Sequence, residues 1–230
     1  MRTAMEARAL WKVYQTGDNI VQAVRGINIK LQQGEMVAIM GRSGCGKTTL
    51  LNVLSGIDEP SSGEVLVDDK QLFGISDDER TEMRAQNFGF VFQSFNLLPV
   101  LSAVENVELP LLLIGKSSTE AREGALKALT SVGLEDRANH RPSELSGGQQ
   151  QRVAIARAIV HSPSVILCDE PTGNLDSATS SEVMQLLRQI NIENNSTLLL
   201  VTHDLKIAQQ CDRILKMDDG IFINEISEEE

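Results

Sequence analysis

Uninterrupted apolar runs separated by short polar breaks set the architecture of this chain. Met36–Met40 has no polar residue, the pattern of a strand buried on both faces of a parallel sheet. Phe88–Phe92, Val165–Cys168 and Leu198–Val201 repeat it. Ile27–Leu31 alternates instead, with Asn28 and Lys30 between its apolar residues, and reads as a half-buried strand. Leu10–Tyr14 is predicted as a further strand, with Gly17-Asp18-Asn19 as a loop between the two. Glu64–Val67 forms a short strand after the turn Pro60–Gly63. Ile214–Met217 and Ile221–Ile226 flank Asp219-Gly220, a strong hairpin signal.

The helical signals lie between these runs. Thr48–Leu54 precedes Gly56, and the capping box Ser76–Glu79 opens a helix to about Ala85. In Ser177–Asn191, Val183, Leu186, Leu187 and Ile190 recur at i, i+3, i+4 and i+7. Between Leu97 and Val160 helical patterns dominate and no strand is evident. Capping boxes stand at Ser102–Glu105 and Ser117–Glu120. The second opens a helix with Ala125, Leu126, Leu129 and Val132 on one side and Gly133 placed to end it. Val153, Ala156 and Ile159 recur within Gln150–Val160. Apolar strands alternating with helices predict an α/β fold with a mainly parallel, doubly wound sheet and an antiparallel β portion near the N-terminus. A single domain is expected over 1–230, with 1–93 and 161–230 as its α/β core and about 94–160 as an inserted helical subdomain.

Directly after Met36–Met40 comes Gly41-Arg42-Ser43-Gly44-Cys45-Gly46-Lys47-Thr48, which fits G-x-x-x-x-G-K-[ST] between a strand and a helix. Glycines let the backbone wrap a phosphate with its N–H groups inward, and the helix that follows points its positive end at the same anion. Lys47 is suited to the β- and γ-phosphates and the Thr48 hydroxyl to Mg²⁺, with Thr49 beside it. This is a nucleoside triphosphate site of the P-loop type, so the core is expected to be a P-loop NTPase core.

Composition narrows the partners. The net charge of −11 argues against a broad basic face for nucleic acid and against unaided adsorption to an anionic membrane. The acidic end, Glu225 and Glu228–Glu230, reads as solvated. Cys45, Cys168 and Cys211 lie far apart without a CxxC pair, as in a reducing compartment. No signal segment and no run of about 18 apolar residues is present, so a cytosolic location is expected. Cys45, beside Lys47 at a helix N-terminus, is expected to be a reactive thiol.

Gly41, Gln93, Asp169-Glu170 and His203 each follow an apolar strand at its carboxyl end, the edge where open α/β sheets bind ligands. Asp169 suits support of Mg²⁺ and Glu170 a general base polarising water. His203 suits a γ-phosphate contact. Gln93 suits Mg²⁺ or the attacking water, although alone it is a loop glutamine. Leu145-Ser146-Gly147-Gly148-Gln149 is a second glycine-bearing helix N-terminus and so a second anion site, or equally a glycine-rich N-cap.

Taken together, Gly41–Thr48, Gln93, LSGGQ at 145–149, Val165–Glu170, Asn174-Leu175-Asp176 and His203 stand in the order of an ABC-transporter ATPase subunit, which the chain resembles along nearly its whole length. Phe90–Gln93 with Asn96–Pro99, LSGGQQQR at 145–152 and Pro171–Asp176 resemble the branch of macrolide export, lipoprotein release, antimicrobial-peptide export and the related cell-division ATPase. The resemblance implies a head-to-tail homodimer with two ATP between the P-loop of one subunit and residues Leu145, Ser146, Gly147, Gly148 and Gln149 of the other. It also implies Tyr14 stacked on adenine, Asp176 at the dimer seam, and a membrane permease docked near Gln93 and the helical subdomain. The implied activity is ATP hydrolysis with Mg²⁺ that drives export or extraction from the cytoplasmic side of the membrane. The alternatives are a non-transporting motor acting through a membrane subunit and a soluble ATPase acting on nucleic acid. The second is disfavoured by the absence of a basic face.

Overall fold

The computed structural model describes residues 2–17 and 19–227; Asp18 of the expected loop and Glu228–Glu230 of the acidic end lie outside the described residues. The backbone forms two compact units, one made of the chain up to Arg84 with the chain from Thr197 onward, the other of Ala85–Ser196.

In the first unit, β1 (Thr3–Thr16) and β2 (Asn19–Gln32) pair antiparallel, with Tyr14 opposite Val21 and Thr16 opposite Asn19. The strand expected at Leu10–Tyr14 is longer than its apolar run because its first half is small and mixed (Thr-Ala-Met-Glu-Ala-Arg). Pairing with β4 (Ser62–Val67) on its other edge fixes that half, and Ala4, Met5 and Ala7 are buried. A bulge at Ala9, in left-handed conformation at φ 46°, is held by the Asn28 side chain, whose Oδ1 accepts the Ala9 N–H at 2.8 Å. A short β5 (Lys70–Gln71) completes this antiparallel sheet.

The same unit contains β3 (Met36–Met40), which lies parallel between β8 (Thr197–Thr202) and β9 (Arg213–Asp218). Met36, Val37, Ala38 and Ile39 are fully buried, as an apolar run requires when both faces are covered. β10 (Ile221–Ser227) returns antiparallel on β9 around Asp219-Gly220, the hairpin that the dipeptide predicts. Behind the P-loop, α1 (Lys47–Leu54) buries Leu50, Leu51, Val53 and Leu54.

In the second unit, β6 (Phe88–Phe92) and β7 (Val165–Asp169) pair in parallel, Phe92 opposite Asp169. Preceding β6 in the chain is α2 (Asp77–Asn87), opened by the capping box at Ser76. The stretch from Leu97 to Val160 is helical without a strand: α3 (Ala103–Leu113), α4 (Ser118–Ser131) and α5 (Gly147–Ile159), with two short 3₁₀ turns between α4 and α5. Reciprocal capping boxes start α3 at Ser102 and α4 at Ser117. Of the predicted face of α4, Ala125, Leu129 and Val132 are buried, whereas Leu126 is 40% exposed, since the apolar stripe is narrower than the spacing suggested. The unit closes with α6 (Ser177–Asn194), whose Val183, Leu187 and Ile190 are buried. Within the first unit, α7 (Leu205–Ala208) follows β8. The mixture of an antiparallel sheet, parallel pairing and helices is the α/β class the sequence predicts. Among the described residues, no helix is long and apolar enough to cross a membrane.

Candidate functional site

At the carboxyl end of β3 the chain turns at Gly41 and wraps through Gly46 into α1. Gly46 is the N-cap, at φ 104°, a conformation open to glycine, and a Cβ there would overlap the carbonyl oxygen of Ala23. A Cβ at Gly41 would overlap the carbonyl oxygen of Met217. The loop therefore curls more tightly than any side chain at these two positions would permit. Lys47 is only 7% exposed, and its ammonium donates to the carbonyls of Gly41 and Arg42, each at 2.8 Å. No side chain caps the first turn of α1, so that turn's N–H groups, with the positive end of the helix dipole, face the space the loop encloses. Arg42, Ser43, Gly44 and Thr48 are exposed around it, and Thr49 is half-buried. A glycine cradle with uncapped amides and a lysine in its wall fits a polyphosphate, and the Thr48 hydroxyl is a hard donor suited to Mg²⁺. Gly46→Ala is expected to cost at least tenfold in ATP affinity by isothermal titration, through the overlap with Ala23, with little change in α1 helicity.

Cys45 departs from expectation. It is 8% exposed, its Sγ 4.0 Å from Lys47 Nζ, because the loop folds it inward instead of presenting it with the amides. Cys168 and Cys211 are buried too. A maleimide is therefore expected to label Cys45 slowly, limited by opening of the loop.

Tyr14, near the end of β1, is 40% exposed, and its hydroxyl donates to Asp58 Oδ2 at 2.6 Å. Asp58 also pairs with Lys12 at 2.6 Å, and Lys12 Nζ lies 4.8 Å from the centre of the Tyr14 ring. Lys12 and Tyr14 share a face of β1 at i, i+2, and Asp58 follows α1, its N–H donating to the Asn52 carbonyl. Burial, reinforced by the Asp58 bond, pushes the Tyr14 hydroxyl pKa up. Burial would raise the Asp58 carboxyl, but the hydrogen bonds from Lys12 and Tyr14 outweigh it and hold Asp58 below the usual carboxylate range. A lowered carboxyl contributes stability above its unfolded pKa and loses it as pH falls through the folded value. Asp58→Ala is thus expected to destabilise the fold at pH 7 by about 1 kcal/mol and to have no further effect at strongly acid pH, as read by urea unfolding at both. Tyr14 enters only through the family resemblance, and its anchor Asp58 has one signal in the sequence, the i, i+2 spacing of Lys12 and Tyr14. At the end of β8, still in the first unit, His203 is exposed, and the next residue, Asp204, caps α7.

The second unit carries the other candidates. The register of β6 on β7 sends Gln93 and Glu170 off the same carboxyl edge, as their strand-end positions predict. Asp169 ends β7, half-buried. Glu170 adopts φ 49°, a left-handed conformation unfavourable for a carboxylate side chain, and its carbonyl accepts the Gly173 N–H at 3.0 Å. That turn gives Pro171–Asp176 its direction. Asp176 caps α6: Oδ1 accepts the N–H groups of Ala178 and Thr179 at 3.0 Å each, and Oδ2 accepts the Thr179 hydroxyl at 2.7 Å. These bonds, the Thr179 N–H foremost, hold its carboxyl below the usual range, and the side chain remains at the surface.

Leu145 is buried, and Ser146 caps α5. Its Oγ accepts the Gln149 N–H at 3.3 Å, while Gln149 Oε1 accepts the Ser146 N–H at 2.9 Å. A Cβ at Gly148 would lie 2.5 Å from Thr179 Cγ2, so this glycine lets α5 approach the start of α6. The five residues are therefore a glycine-rich cap in fact; that does not conflict with anion binding, since Ser146 is exposed at the positive end of α5. Two residues of α5 went unnoticed in the sequence. Arg157 donates to the carbonyls of Asn96 (2.5 Å) and Phe95 (2.8 Å), two consecutive left-handed residues at φ 50° and 59°, and burial lowers its pKa. Gln151, fully buried, donates to the Pro171 carbonyl. An arginine and a glutamine on a helix give no pattern that distinguishes such bonds from solvation.

A strand, a glycine loop around a buried lysine and an uncapped helix start define a P-loop nucleoside triphosphate-binding protein. A family model described as ABC transporter matches residues 24–173, and the chain belongs to that family. It is 48% identical over 213 residues to the uncharacterised ABC transporter ATP-binding protein MJ0796 of Methanocaldococcus jannaschii, covering 91% of each chain. It is 46% identical to the lipoprotein-releasing system ATP-binding protein LolD of Idiomarina loihiensis, over 96% of this chain and 97% of LolD. The macrolide export ATP-binding/permease protein MacB of Syntrophobacter fumaroxidans is 48% identical over 95% of this chain, which spans 31% of that longer protein. A dimeric, post-hydrolysis structure of the MJ0796 cassette bound to ADP and Pi superposes with a TM-score of 0.89 at 44% identity, over 97% of this chain and 98% of that one. The protein is an ABC ATPase of the macrolide-export and lipoprotein-release branch, with ATP and Mg²⁺ as its cofactors.

Proposed function

We propose that this ATPase is the motor of a transporter: two copies close on two ATP and drive a separate membrane permease that exports a substrate or extracts it from the membrane. The observation that carries the reading is the presence on one chain of two separate helix N-termini fit for anions, α1 behind the P-loop and α5 behind Ser146. One of them suffices for one nucleotide, so the second serves a nucleotide held by another copy. The dimeric cassette among the chain's structural relatives supports this, and the names LolD and MacB support export or extraction.

In this reading Gly41–Thr49 and Lys47 bind the phosphates and Tyr14 stacks on the adenine. Mg²⁺, when bound, neutralises charge on the phosphates, with Thr48, Gln93 and Asp169 as its protein oxygens, a hard donor set appropriate to that ion. Glu170 orients and deprotonates the attacking water, and His203 contacts the γ-phosphate. Leu145–Gln149 of the partner copy completes the site, and Asp176 lies at the seam. Residues 94–160 form the helical subdomain, and the permease docks on it and near Gln93, placing the protein on the cytoplasmic side of the membrane. Affinity purification of the tagged chain from detergent-solubilised membranes tests the partner. Recovery of a multi-span membrane protein is the expected result, and recovery of nucleic acid instead would contradict it.

A further inference from the structure

The residue after β6 takes part in an amide pair that fixes the direction of a side chain. Gln93 Nε2 donates to Asn174 Oδ1 at 3.0 Å, and Asn174 Nδ2 donates to the Gln93 backbone carbonyl at 3.0 Å. A backbone carbonyl only accepts, so Asn174 must offer it the NH₂ end, which turns the Asn174 oxygen toward the Gln93 side chain. That oxygen also only accepts, so Gln93 must answer with its own NH₂. One backbone carbonyl thus dictates the orientation of both amides, and Gln93 Oε1 is the end turned away from Asn174, on an exposed residue.

The surroundings hold this arrangement from two sides. A Cβ at Gly173 would lie 2.8 Å from Gln93 Nε2 and 2.9 Å from its Cδ, so the amide occupies space that only glycine leaves open. On the other side, Arg157 grips the carbonyls of Phe95 and Asn96 and fixes the chain just beyond Gln93. Before any metal binds, an exposed glutamine amide can turn either its oxygen or its NH₂ toward the site unless a neighbour selects the end.

We infer that Asn174 is a positioning residue for the ATPase reaction: it selects the oxygen of the Gln93 amide as the end offered to the metal of the Mg²⁺–nucleotide complex. The inference rests on the reading of Gln93 as a metal ligand. Its chemistry suggests a decisive control, because a carboxylate has oxygen at both ends and needs no selection.

The test uses Mn²⁺ as probe, titrated into the protein with ADP and followed by the electron paramagnetic resonance of free Mn²⁺. Asn174→Ala is expected to weaken Mn²⁺ binding about three- to tenfold, the effect of one hydrogen bond that holds a ligand in place. Gln93→Ala should weaken it at least as much. In a Gln93→Glu background, adding Asn174→Ala should change the affinity less than about twofold. Asn174→Asp, which keeps an acceptor for Nε2, should fall between wild type and Asn174→Ala. In nucleotide-free protein, slowed hydrogen exchange of the Gln93 side-chain NH₂, seen by ¹⁵N resonance, should be lost in Asn174→Ala.

If Gln93→Ala leaves Mn²⁺ affinity unchanged, the reading of Gln93 fails and this inference goes with it. If Gln93→Ala weakens binding and Asn174→Ala does not, the selection of the amide end is wrong while the ligand reading stands. An equal loss from Asn174→Ala in the Gln93→Glu background would show a general disturbance of the loop and overturn the inference as well.

Discussion

Glu170→Gln is expected to bind ATP as the wild type does and to hydrolyse it at least a hundredfold more slowly, the low end of what removal of a general base costs. The exchange is close to isosteric, and the local backbone supports it. Glu170 sits at φ 49° directly after β7, with its carbonyl tied to the Gly173 N–H. Neither feature depends on the side-chain charge, so the variant should keep the turn and lose only the base. Single-turnover hydrolysis alongside equilibrium ATP binding separates the two quantities. Wild-type hydrolysis in this variant would remove Glu170 from the catalytic role.

Ser146→Arg is expected to abolish hydrolysis and spare nucleotide binding to the isolated chain. The guanidinium would fill the approach to the α5 N-terminus that a second copy's nucleotide would use. It also removes an N-cap, at a cost of about 1 kcal/mol to α5, so Ser146→Ala serves as the control for lost capping alone. Mixing Ser146→Arg with Lys47→Ala places both lesions in one composite site of a heterodimer and leaves the other intact. Partial recovery of activity on mixing is the expected outcome if the two sites work independently. Loss of ATP affinity in Ser146→Arg by itself would mean that α5 serves its own chain's nucleotide.

The parts of the site that were legible in the sequence are those where chemistry forces a residue type. Gly46 must be glycine at its φ, Lys47 must reach inward, and fully apolar strands announce where Gly41, Gln93, Asp169 and His203 emerge. What stayed hidden depends on pairs brought together by the fold. Asp58 anchors Tyr14 across 44 residues, Arg157 holds carbonyls some 60 residues earlier, and Asn174 meets Gln93 across 81. None of these partners belongs to a local period. Cys45 failed for a related reason: its neighbours along the chain argued for reactivity, but the curl of the loop packs its sulfur inside. LSGGQ showed the converse, since its anion-binding and capping readings describe the same exposed helix start. Ser146 and Gln149 satisfy each other while the end of the dipole stays open.

The pairing of two copies by ATP is tested most directly by mass. Glu170→Gln should hold its nucleotide long enough for the assembly to be weighed by light scattering after size exclusion, with and without ATP. Two copies closed on two nucleotides predict twice the 25.2 kDa chain mass with ATP and the single mass without it. A variant that binds ATP and still elutes at the single chain mass, across the concentrations at which the wild type hydrolyses, would contradict the closed dimer and with it the role given to Ser146.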